Sequence, residues 1–96
     1  MSNIIVSINK EDSLLIERKF YEYNAGKDTV AFLMKESDIN WEVLQNYINV
    51  VETRYVELEL LKNEMDKKYC PDNYINKNYK YEFLFDTYEM KFSLME

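Results

Sequence analysis

The side chains that carry most enzymatic chemistry are nearly absent from this chain. Its 96 residues include no His, one Cys and one Gly. Without His, neither a Ser–His nor a Cys–His nucleophile pair can form. Zinc sites want Cys and His at short spacings, and that ligand set is missing. Gly26 stands alone inside a helical pattern, so there is no glycine-rich loop to cradle a phosphate and no calcium loop with a central glycine. Carboxylate pairs are the remaining route to acid–base catalysis. Glu57 with Glu64, or Glu52 with Glu59, share a helix face, but seven residues of helix hold them about 10 Å apart, beyond most glycosidase pairs. Cys70 follows Tyr69 at a helix C-terminus, where the negative end of the helix dipole does nothing to activate a thiol. The expectation is a non-enzyme with no catalytic residue, no metal site and no cofactor.

The elements that would position any site follow from periodicity. Ile4, Val6 and Ile8 alternate with Ile5 and Ser7, which predicts an edge strand over 4–8. Asp12 or Ser13 is expected to cap a first helix. Ile16, Phe20, Tyr23, Val30 and Met34 then recur at helical spacing, with Lys27 in the expected place between them. One helix over 12–36 is predicted; the alternative is two shorter helices broken near Asn24-Ala25-Gly26, because an interior Gly costs about 1 kcal/mol relative to Ala. Asn40 is a good N-cap for a second helix over 41–69. Along it Leu44, Ile48, Val51, Tyr55, Leu58, Lys62, Met65 and Tyr69 step by four and three, and Pro71 stops it. Residues 72–78 read as a polar linker. The period then changes to two: Tyr79, Tyr81, Phe83 and Phe85, then Tyr88, Met90, Phe92 and Leu94, form the greasy face of a β-hairpin over 79–94. The expected fold is α+β, a single domain over 1–96: a long antiparallel helical hairpin packed on a small antiparallel sheet in the order β-α-α-β-β.

The net charge of −6 is localised. Between Glu36 and Asp66 there are eight acids and two bases, which account for all of it. On the second helix Glu42, Glu52, Glu59 and Asp66 fall on one stripe with Asn49 and Asn63. One reading is the solvated face of a long helix, with acids early and Lys67 and Lys68 late, as the macrodipole prefers. The other is a docking strip for a basic partner, or a row of carboxylates that imitates phosphates. Acidity excludes a free-standing nucleic-acid binder and disfavours anionic lipid. Val43, Tyr47, Val50, Val56 and Leu60 lie off the apolar stripe. Packing against both the first helix and the sheet would absorb them; otherwise they form a surface for a partner or a second copy. If a partner adds a strand, the edge strand around Ile5 or the outer strand of the hairpin is the expected platform.

A run of local matches carries a resemblance: Tyr21-Glu22-Tyr23-Asn24-Ala25, Ala31-Phe32-Leu33-Met34, Tyr47, Tyr55, Glu59-Leu60, Lys62, Glu64-Met65, Lys68-Tyr69, Pro71, and Tyr81 through Phe85. In these the chain resembles small accessory proteins of clostridial CXXX-repeat peptide-modification systems, with Gly26 departing from the bulkier residue expected there. The resemblance implies a non-catalytic helper that presents a peptide to a modifying enzyme. The expected partner is another protein with a basic or peptide-presenting surface, with no direct nucleic acid and no membrane, and with a homodimer as a further expectation. The alternatives are a phage-encoded inhibitor of the anti-CRISPR type using the acidic face as a nucleic-acid mimic, or a structural subunit of a virion or larger assembly. The opening residues lack the basic region and long apolar stretch of a signal peptide, so the cytoplasm is the expected location.

Overall fold

In the computed structural model, which describes residues 3–95, the elements run β1 (Asn3–Ser7), α1 (Lys10–Met34), α2 (Trp41–Tyr69), a single 3-10 turn (Asp72–Tyr74), β2 (Tyr79–Leu84) and β3 (Glu89–Leu94). This is the β-α-α-β-β order in the α+β class. The sheet is antiparallel throughout, in the order β1-β3-β2, so the strand latest in the chain lies in the middle. Its register aligns Ile4 and Tyr81 with Phe92, and Val6 and Phe83 with Met90. Phe92 and Met90 are thereby flanked on both sides and fully buried.

α1 starts earlier than the capping residues of the sequence suggest. Asn9, not Asp12 or Ser13, is its cap, with Oδ1 accepting from the Glu11 N–H at 2.8 Å. Asp12 lies in the first turn and Ser13 is buried. The helix closes at Met34 rather than at residue 36, and it is continuous through Gly26. The glycine is there for space. A Cβ on Gly26 would stand 3.0 Å from Val51 Cγ2 and 3.1 Å from Arg54 Nη1, so α1 and α2 approach closely at this point. Arg54 uses the approach to donate from Nη1 to the Glu22 carbonyl at 2.9 Å.

α2 spans the predicted 41–69. Asn40 caps it by accepting from the Val43 N–H at 3.1 Å, and Lys67 and Lys68 occupy its last turn, where the dipole favours cations. The helices are antiparallel, as shown by Lys68 with Asp12 at one end, Lys19 with Glu57 at 3.1 Å in the middle, and Val51 against Gly26 further out.

Residues 72–78 are not a plain polar linker. Tyr74, in the 3-10 turn, is among the most buried side chains and packs on Tyr79 with ring centroids 6.1 Å apart. The hairpin turn has no glycine, and Tyr88 takes the left-handed conformation in its place (φ 54°). The core joins Ile8, Ile16, Leu58, Leu61, Met65, Tyr74, Met90 and Phe92. Leu61 lies outside the predicted stepping; it is buried because α2 is covered on two sides, by α1 and by the sheet.

Candidate functional site

The sheet covers only part of the helical hairpin. A six-residue strand spans about 20 Å, whereas a helix of 29 residues runs about 43 Å. The molecule is accordingly elongated, 54 × 29 × 19 Å. Phe20 marks the sheet's boundary on α1, meeting Phe83 and Phe85 edge-on at 6.1 and 5.8 Å. The core and the hydrophobics packed against it use α1 only as far as Tyr23 and α2 only from Leu58 onward. Beyond lies a two-helix arm made of the second half of α1, the connection and the first half of α2, in which Leu44 is the buried apolar anchor.

Much of the exposed apolar surface lies on the arm, although Leu14, Leu15 and Tyr21 are also exposed on the half of α1 that the core uses. At its tip Trp41 is 70% exposed, and Phe32 and Met34 are 66% and 59% exposed. Val43, Tyr47 and Val50, spaced by four and three along one helix face, are also exposed. Val56 is exposed on another face of α2, as is Leu60 just beyond the arm. Packing against two neighbours therefore absorbs Leu61 but none of the five off-stripe residues. At the root of the arm the helices enclose a shallow groove of about 550 Å³ lined by Tyr23, Val51, Glu52, Tyr55 and Val56. Tyr23 and Tyr55 meet along it with ring centroids 5.6 Å apart, and the Lys27 ammonium sits 4.6 Å over the Tyr23 ring.

The acidic stripe divides into two halves. Glu42 and Glu52 are exposed on the arm. Glu59 is engaged by Lys62 at 3.2 Å, and Asp66 accepts the Tyr79 hydroxyl at 2.6 Å. The stripe is thus not a uniform solvated face opposite the apolar one, since its C-terminal half borders β2. Burial, and then the bond to Asp66, push the Tyr79 phenol well above its ordinary range. Burial, with Asp66 and Glu59 nearby, also raises Tyr81. The spacing of α2 could not reveal this, because β2 docks on that flank from a distant part of the chain. Of the carboxylates weighed as pairs, Glu57 holds Lys19 and Glu59 holds Lys62. Cys70 is a half-buried free thiol whose Sγ lies 3.5 Å from the Pro71 carbonyl.

Ile5 is exposed at the middle of β1, on the sheet face that carries Lys80, Glu82, Lys91 and Ser93. Among the described residues, no group of three or more His, Cys, Asp or Glu is placed to hold a metal ion, and no helix is long and apolar enough to cross a membrane. Comparison with protein-family models, curated proteins and solved structures finds no match to this chain.

Proposed function

We propose that this chain is a non-catalytic accessory protein that binds another protein through its helical arm. The observation that carries the reading is the concentration of exposed aromatic and aliphatic side chains on the part of the hairpin the sheet leaves bare. Large exposed apolar side chains gathered on one part of a molecule mark where soluble proteins meet partners, and Trp and Tyr are the side chains that most often anchor such contacts. Glu36, Asp38, Glu42 and Glu52 are exposed around the arm, while Arg54 is turned inward to Glu22 and Lys27 lies on Tyr23. A fitting partner offers an apolar groove with a basic rim. In its most specific form the reading is an escort that presents a peptide to a modifying enzyme, as the resemblance implies. The nucleic-acid mimic has less support, because two of its four carboxylates are committed within the molecule.

The test uses the intact chain as bait in an extract of its native host, followed by affinity measurement with the captured protein. Trp41→Ser and Tyr47→Ser should each weaken binding by tenfold or more and leave the melting temperature within error, since both side chains are exposed. Reversal of Glu42 and Glu52 to Lys should have a smaller, salt-dependent effect. If that reversal abolishes binding while the arm substitutions leave it intact, the contact is electrostatic and the arm reading is wrong.

A further inference from the structure

β1 is an edge strand whose outward backbone is open and whose sequence is unguarded. The Ile8 N–H donates to the Tyr88 carbonyl at 2.9 Å, and in an antiparallel ladder the residues that exchange hydrogen bonds alternate. In the observed register, Ile4, Val6 and Ile8 therefore turn their N–H and C=O groups to β3. Asn3, Ile5 and Ser7 turn theirs to the other side, where no strand lies among the described residues. Edge strands are usually protected by charge, Pro or a bulge. Asn3-Ile4-Ile5-Val6-Ser7 has none of these. The opposite edge, β2, carries Lys80 and Glu82 on its outer face and is tied to α2 through Tyr79 and Asp66.

We propose that β1 pairs antiparallel with β1 of a second copy of this chain, about a twofold axis at Ile5, joining two three-stranded sheets into one. The occupant follows from the arrangement of β1 itself. A dyad at the central residue sets Ile5 opposite Ile5 and Asn3 opposite Ser7, and every outward N–H and C=O of the strand finds a partner. The Ile5 side chain, 55% exposed on a sheet face whose other residues are polar apart from Leu84 on the far strand, is covered by its own copy. No charge is brought together on the paired strands, because they carry none. This interface is distinct from the arm and does not rest on the function proposed for it.

Sedimentation equilibrium on the full chain without an N-terminal tag decides the matter. The expected mass is twice the 11.7 kDa of one chain. Ile5→Pro removes an N–H that faces away from β3 and leaves the internal ladder intact, so it should give a monomer with native circular dichroism. Ile5→Lys keeps the backbone donors but sets two like charges at the dyad, and should weaken association at least tenfold; it decides the question if the Pro variant fails to fold. Trp41→Ser should remain dimeric. A wild-type chain that is monomeric into the high-micromolar range overturns the proposal. So does a dimer that survives Ile5→Lys, or one that Trp41→Ser dissociates, since the contact then lies elsewhere.

Discussion

The Tyr69 hydroxyl ties three segments together. It donates to Asp12 Oδ2 at 2.5 Å and accepts from the Asn9 N–H at 3.0 Å, while Lys68 Nζ reaches the same Asp12 oxygen at 2.8 Å. Lys68 and then Tyr69 hold the Asp12 carboxyl below its ordinary value of 3.8. A carboxyl with a depressed folded pKa stabilises the fold above its unfolded pKa, and that contribution fades as pH falls through the folded value. Lys68 is 57% exposed, so solvent screens its share. Asp12→Asn should cost on the order of 1 kcal/mol at neutral pH, and urea denaturation should show the difference from wild type closing in strong acid. Tyr79 gives the opposite signature. Its raised phenol favours the neutral fold below pH 10.0 and loses that contribution as pH climbs above it. Tyr79→Phe should therefore flatten the alkaline limb of a stability profile. Neither partnership was legible in the sequence. Asp12 has the residue type of a cap, but its partners lie 56 and 57 positions away, and local spacing carries no trace of them.

At the scale of elements, periodicity placed α2 well because Asn40 and Pro71 bracket a long stepping pattern, and it placed the hairpin because alternation continues on both sides of the turn. It misjudged elements whose burial comes from outside their own pattern. Tyr74 is one aromatic in a polar run, with no periodic companion to mark it. Gly26 looked like a weak point in a helix, yet the contact it makes room for is between helices. Propensity alone favours Ala at such a site by about 1 kcal/mol. Val51, β-branched and held in essentially one rotamer in a helix, cannot easily withdraw from a new methyl group, and overpacking costs about 1–3 kcal/mol. Gly26→Ala should lower stability by about 1 kcal/mol, and adding Val51→Ala should reverse the sign of its effect. Thermal melts of the two single variants and the double variant measure this coupling directly. A Gly26→Ala variant that melts higher with Val51 in place would show that the helices have room to spare.

At the scale of the whole molecule, composition pointed away from catalysis and toward a binding protein, but it could not say which surface is left bare. That depends on how far the sheet extends along the hairpin, which is set by strand length against helix length and by the aromatic boundary at Phe20. Val43, Tyr47, Val50 and Val56 were visible as a question, and the answer required the position of the sheet's end. Substitutions on the arm and on β1 should separate accordingly, with arm variants changing partner affinity and β1 variants changing mass. The position of β3 in the sheet bears on a different matter, the order of assembly. Of the described elements the middle strand is synthesised last and β1 first, so β1 lacks its partner in this sheet until β3 is made. The helical hairpin closes through contacts near in sequence around its turn, whereas the sheet depends on pairing β1 with β3 across both helices, a contact that is slow to find. During synthesis the greasy faces of α1 and α2 must wait uncovered. A nascent chain halted before Glu89 is therefore expected to aggregate more readily than the finished one.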